Sequence, residues 1–239
     1  MLDVALIPRQ ILSRKQEHIV VVLDIFRASS TVCAALVSGA SRIIPQKTVE
    51  DANMKKNDFP AALLCGERNG IAPEGFDFGN SPYEYTPETV GGRTLIFTTT
   101  NGASALLSAP DNAVRLMGGF VNAESITEFI AQRRPAAATF LCAGNNGFFS
   151  LEDALCAGMF VERISSLFPE QTDEALAAKA IFTVYKNNLH DTLKNTCHAQ
   201  NLNSKGLGKD LDFCTNLNAA PVTPIFNGCE IVCLSEDNL

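Results

Sequence analysis

Acidic and basic side chains stand directly behind apolar runs at several points of this chain. Asp24-Ile25-Phe26-Arg27 follows His18 to Leu23, Glu67-Arg68 follows Leu63-Leu64-Cys65-Gly66, and Glu152-Asp153 lies shortly beyond Ala137 to Cys142. Carboxylates in such places can ligate a hard divalent cation, and an arginine can hold a phosphate or carboxylate bidentately. The same regions share an ending: LLCGERNG closes at Gly70, LIFTTTNG at Gly102 and FLCAGNNG at Gly147. Thr99, Thr100, Asn101 and Asn145 add neutral hydrogen-bonding groups, while Asn69, Gly70 and Gly102 tolerate unusual backbone angles and close approach. The combination suits a small phosphorylated anion.

Plainer readings compete at each place. Asp24 and Arg27 could be a surface ion pair, and Ser150 with Asp153 three residues on is close to a capping box with acids in a helix's first turn. Asn-Gly is first a hairpin signal, but the residues after Gly102 and Gly147 read as helical, which favours strand-to-helix turns over tight hairpins. Covalent schemes find no support. A cysteine phosphatase needs Arg six residues after the Cys, where Ile71 follows Cys65 and Phe148 follows Cys142. An aspartyl nucleophile of the haloacid-dehalogenase kind needs a second Asp at the position of Phe26. Attack by water is the remaining route to hydrolysis.

The elements that must position these residues follow an α/β rhythm. Strands are predicted over 3–8, 18–24, 42–45, 61–65, 94–98, 113–117, 137–142 and 230–234, and helices over 29–39 (capped by Ser29 or Ser30), 49–57, 103–108, 122–132, 151–167 and 172–189. Residues 66–87 form a long Gly-, Pro- and Asn-rich loop, and 195–212 a polar segment in which His198 is a further site candidate. Alternation of this kind predicts a largely parallel sheet with helices on both faces, whose strand-to-helix turns emerge on one edge as the walls of a pocket.

At 239 residues, 46% of them hydrophobic and 19% charged, the chain is expected to form one domain spanning 1–239. A net charge of −7 without basic clusters argues against nucleic acid as a partner. No apolar run approaches the length that spans a bilayer and the N-terminus does not read as a signal peptide, so a cytoplasmic location without membrane association is expected. The eight cysteines form no CxxC pair and read as free thiols. A homodimer is the default expectation.

Four segments taken together, DIFRASST (24–31), GERNGIAPEGFDFGNSP (66–82), TTTNGASAL (98–106) and CAGNNGFFSLEDALCAG (142–158), resemble the 2-phosphosulfolactate phosphatase (ComB-like) family, with a weaker echo in LGKDLDFC (207–214). The resemblance implies a three-layer α/β/α fold. It also implies a Mg²⁺-dependent phosphatase that converts 2-phosphosulfolactate to 3-sulfolactate and phosphate, a step of coenzyme M biosynthesis. On this reading Asp24 with one or more of Glu67, Glu152 and Asp153 would hold Mg²⁺, and Arg27 and Arg68 would neutralise developing charge. Asn69, Gly70, Thr99, Thr100, Asn101, Gly102 and Asn145 would bind substrate oxygens. A phosphatase for another small organic phosphate, or a non-catalytic binder of a small phosphorylated or sulfonated acid, would use the same turns.

Overall fold

A computed structural model describes residues 1–234. Its strands are β1 (Leu2–Ala5), β2 (His18–Leu23), β3 (Arg42–Gln46), β4 (Leu63–Gly66), β5 (Thr94–Thr98), β6 (Val114–Gly118), β7 (Ala137–Cys142), β8 (Pro224–Phe226) and β9 (Ile231–Cys233). The helices are α1 (Ala28–Val37), α2 (Val49–Asp58), α3 (Pro87–Val90), α4 (Gly102–Ser108), α5 (Ala123–Arg133), α6 (Leu151–Ile164), α7 (Asp173–Tyr185), α8 (Leu189–Lys194), α9 (Cys197–Ser204) and α10 (Lys209–Cys214).

The β-branched run of β2 shows why the sheet is covered on both faces. All six of its residues are buried. Because successive side chains point to opposite faces, Ile19, Val21 and Leu23 join a cluster with α5, α6 and α7, while Val20 and Val22 join another with α1 and α4. Each fully buried aliphatic side chain contributes roughly 1.5–3 kcal/mol. A third, smaller cluster seats α2 on β3, β4 and β5 through Ile44, Ala52, Leu64 and Ile96. The result is an α/β/α arrangement, as the resemblance implies.

The nine strands form one sheet in the order β1-β7-β2-β6-β8-β9-β3-β5-β4. Ladders within β1-β7-β2-β6 and within β3-β5-β4 are parallel. The β8–β9 hairpin joins the two groups through three antiparallel ladders, so the groups run in opposite senses across it. A flat sheet of this order would send the turns after β2 and β5 to opposite edges, contrary to the single-edge expectation. They meet because the twisted sheet wraps around α1 and α4: Val20 and Val22 of β2 and Leu95 and Phe97 of β5 share one cluster with Ala28, Val32 and Leu106. Most element positions agree with the sequence expectation within a few residues. The exceptions are β8, α3 and α8, which were not expected, and the polar segment 195–212, which holds α9 and the start of α10.

Candidate active site

The chain leaves β2 through Asp24, passes a cis Phe26–Arg27 peptide, and enters α1. Neither Ser29 nor Ser30 caps this helix. The Asp24 carboxylate takes that place, with Oδ1 accepting the N–H of Ala28 at 3.3 Å, while Ser29 Oγ accepts the N–H of Asp24 at 3.0 Å. Opposite Asp24 stands the first residue of α4. A Cβ on Gly102 would lie 2.7 Å from Asp24 Oδ2 and 2.8 Å from Ala28 Cβ, so only glycine lets α4 approach this closely. Burial pushes the Asp24 carboxyl up to about 6, the charge of Glu67 adds to the shift, and His198 with the N–H groups of Ala28 and Gly102 oppose it.

Glu67 staples two of the endings together. Its Oε2 accepts the N–H of Gly70 at 2.6 Å and its Oε1 the N–H of Thr100 at 2.8 Å, in a side chain that is almost fully buried. Two of these three Asn-Gly endings are tight hairpin turns. Asn69 and Gly70 have φ of 53° and 82°, Asn146 and Gly147 have 51° and 84°, and both turns close with reciprocal backbone bonds, Arg68 to Ile71 and Asn145 to Phe148. Positive φ at both central residues is what a type I′ turn requires. The strand-to-helix expectation therefore holds for Asn101-Gly102 alone; after β7 a hairpin turn precedes α6. Asn146 N–H donates to Asn101 Oδ1 at 3.1 Å and ties the second and third endings.

These turns enclose a cleft with about 530 Å³ of atom-free space, its mouth included. Asp24, Arg27, Glu67, Asn69, Gly70, Thr100, Asn101 and Asn145 line it. Arg27 is held in place: Nη1 bonds Asp210 of α10 at 2.5 Å and Nη2 bonds Gly70 O at 2.7 Å, with both ends of the ion pair buried. Asp210 also accepts the hydroxyl of Ser81 at 2.6 Å. The Asp24/Arg27 surface-pair reading is thus replaced by a buried pair with a distant partner.

The remaining wall is α9, which presents His198, Asn201, Leu202 and, at its C-terminus, Lys205. His198 Nδ1 lies 2.8 Å from Glu152 Oε1. Burial alone would lower the His198 pKa, but the hydrogen bond to Glu152 and the charges of Glu152 and Asp24 outweigh it and raise it. Asn80, Phe26 and Asn146 complete the lining. Asn201, Lys205, Asn80 and Asp210 escaped sequence reasoning. The i, i+3, i+4, i+7 spacing of 198, 201, 202 and 205 and the GNSP and LGKDLDFC motifs were the available signals.

Five of the expected site residues lie outside the lining. The Arg68 guanidinium is bound to Glu67 O, Lys47 O and Thr98 Oγ1, where it braces the ends of β3 and β5. Thr99 Oγ1 accepts the N–H of Ala103, and Gly102 stands behind Asp24. Glu152 backs His198. Asp153 is buried with Oδ1 on Ile25 N–H and Oδ2 on Gly144 N–H, each at 3.0 Å, and its own N–H is capped by Ser150. It joins two of the cleft's turns from behind, and burial followed by the charges of Glu152 and Asp24 raises its pKa.

A family model described as 2-phosphosulpholactate phosphatase matches residues 5–228. The chain belongs to this family. Among its relatives, a probable 2-phosphosulfolactate phosphatase of Thermotoga petrophila is 38% identical over 213 residues, 89% of this chain and 91% of that protein. One of Caldanaerobacter subterraneus subsp. tengcongensis is 38% identical over 226 residues, covering 93% and 92%. The match spans every wall of the cleft, from Asp24 to Lys205, and Asp210 behind Arg27.

The donor set of this 2-phosphosulfolactate phosphatase family member fits a magnesium ion. Asp24 and Glu67 face the cleft with no cationic side chain within 4.0 Å among the described residues. Asn80 Oδ1 and Thr100 Oγ1, both on the lining, are buried without a hydrogen-bond partner among the described residues. All four supply hard oxygen. Among the described residues no three His, Cys, Asp or Glu side chains converge as a preformed metal cage. Mg²⁺ does not need one, since it is commonly held by one or two carboxylates with water and substrate phosphate.

Proposed function

We propose that this protein is a Mg²⁺-dependent phosphatase hydrolysing 2-phosphosulfolactate to 3-sulfolactate and phosphate, in the cytoplasm and as the coenzyme M type of step. The observation that carries the reading is the cleft itself, in which two unpaired carboxylates, a fixed guanidinium and a proton-holding histidine converge on one small polar space. Family membership and the names of the relatives support the substrate.

Asp24 and Glu67 would hold Mg²⁺, which supplies charge neutralisation and alignment of the phosphoryl oxygens. Arg27 uses two of its five N–H groups on Asp210 and Gly70, and the rest are available to phosphoryl oxygen. Its position costs no reorganisation during reaction, because the buried Asp210 fixes it in advance. Thr100 Oγ1 donates its unused proton to a substrate oxygen. His198 keeps a proton because Glu152 stabilises the imidazolium, and Nε2, which has no partner among the described residues, delivers it to the leaving oxygen. Water adds to phosphorus as the ester P–O bond breaks. The leaving alkoxide takes the His198 proton, and the proton from water leaves with the phosphate or solvent.

The test is phosphate release from racemic 2-phosphosulfolactate, with phospholactate and phosphoglycolate as comparators, each with Mg²⁺ and with EDTA. Mg²⁺-dependent turnover selective for the sulfonate is expected. Binding of these compounds without turnover of any of them would replace the phosphatase with a binding protein.

A further inference from the structure

We infer that the outer face of α7 is the surface through which two copies of this chain associate, packed antiparallel about a two-fold axis at Ala180. The surface stands apart from the cleft, and the inference does not depend on the phosphatase reading. On a helix of about 3.6 residues per turn, Ala175, Ala178 and Phe182 fall on one side and are buried with residues of α6, while Asp173, Leu176, Ala177, Ala180, Thr183 and Val184 fall on the other. A Cβ on Gly158 of α6 would collide with the carbonyl oxygen of Ala178, so the two helices meet backbone to backbone and the outer face cannot turn inward. A helix at the surface of a globular protein ordinarily carries charged and polar side chains on that side. This one exposes Leu176 at 52% and Val184 at 73%, with Ala177 and Ala180 between them. Thr183 spends its hydroxyl within the helix, donating to Lys179 O at 2.8 Å.

A second copy is the occupant that this face fits. The stripe is symmetric: Leu176 lies one turn before Ala180 and Val184 one turn after it. An antiparallel partner therefore sets Leu176 of each copy in the same layer as Val184 of the other, and leaves only the small Ala180 side chains where the helices come closest. The ends carry opposite sign. Asp173 and Glu174 open the helix and Lys186 caps its end, so antiparallel packing brings the acidic end of each copy to the lysine of the other and opposes the two helix dipoles, where a parallel pair would set like against like. Asp173 has no basic side chain within 4.0 Å among the described residues. Lys186 bonds Glu162 at 2.8 Å and keeps further N–H groups for a second acid. The neighbouring sheet edge is closed to a partner strand, because Leu2 of the edge strand β1 donates its N–H to Glu170 O at 2.8 Å and accepts the N–H of Thr172 at 3.0 Å. A partner on this side meets α7 instead.

Sedimentation velocity over a range of chain concentrations tests this, with melting curves as the control for folding. One helix from each copy makes a small interface, so the wild-type chain should pass from single chains to pairs as its concentration rises through about 1–100 µM. Ala180→Glu sets two carboxylates against each other at the axis, and Val184→Lys places an ammonium against the apolar Leu176. Each should weaken association by about 100-fold or more, while Glu128→Lys on α5 leaves it unchanged. Leu176→Glu and Val184→Lys should each stay single alone and pair when mixed, because their new charges are opposite and share a layer only in an antiparallel dimer. A wild-type chain that stays single throughout, pairs that survive both Ala180→Glu and Val184→Lys, equal loss in Glu128→Lys, or a folded mixture that stays single would overturn the inference.

Discussion

Replacing Asp24 with asparagine should make the metal-free protein more stable while abolishing its activity. The carboxyl is 5% exposed and its pKa is pushed from an ordinary 3.8 up to about 6, chiefly by burial. A carboxyl whose pKa is higher in the folded chain than in the unfolded one favours folding in its protonated form. The penalty is therefore absent below the unfolded value, grows between 3.8 and about 6, and is complete above that range. Roughly two units at 1.36 kcal/mol each amount to about 3 kcal/mol at pH 8. Asparagine carries no charge and keeps an oxygen for the Ala28 N–H, while its amide group meets the Gly102 N–H and offsets about 1 kcal/mol of the gain. In EDTA at pH 8, the remaining gain of about 2 kcal/mol should make Asp24→Asn melt about 4–8 °C above wild type, at 2–4 °C per kcal/mol for a chain of this size. At pH 4 the advantage should nearly vanish. A variant that melts at or below wild type at pH 8, or an advantage independent of pH, would refute the burial argument.

Asp210→Ala leaves the Arg27 guanidinium buried without its carboxylate and should destabilise the fold by about 3–5 kcal/mol in urea titrations, with Arg27→Met plus Asp210→Leu recovering most of it. A loss below about 1 kcal/mol would mean that the pair is not buried as described. Glu152→Gln removes the hydrogen bond and charge that raise His198, so the alkaline limb of kcat/KM should move to lower pH, with no such movement in Glu128→Gln on the outer face. Asp153→Ala leaves the buried N–H groups of Ile25 and Gly144 without an acceptor and should cost about 1–3 kcal/mol in thermal melts at pH 4, where the raised carboxyl carries no charge penalty.

Much of this was legible in the sequence because the information is local. An unbroken β-branched run such as HIVVVL has little choice but a strand covered on both faces, and a polar or charged residue at its end must lie at the sheet's rim. Asp24, Arg27, Glu67, Asn69, Gly70, Thr100, Asn101 and Asn145 were found in this way. Reading failed where the decisive partner was remote. Nothing beside Arg27 announces Asp210, and nothing in CGERNG tells that Arg68 turns toward Lys47 O while Glu67 turns inward. β8 has only three residues, too few for periodicity, yet with β9 it reverses the sense of half the sheet. The type I′ turns were hidden for a different reason. Asn-Gly codes for positive φ, but whether a hairpin or a helix follows depends on the next few residues, and after β7 both occur.

The central claim is that the cleft around Asp24 and Glu67 is a phosphatase site. It is tested most directly by phosphate release from 2-phosphosulfolactate in Mg²⁺, measured side by side for wild type, Asp24→Asn and Glu67→Gln, with each protein's melting curve as the control for folding. Wild-type turnover, lost by about 100-fold or more in Asp24→Asn and Glu67→Gln while the chains remain folded, is the predicted result. An inactive wild type, or folded variants that release phosphate as fast as wild type, would contradict it.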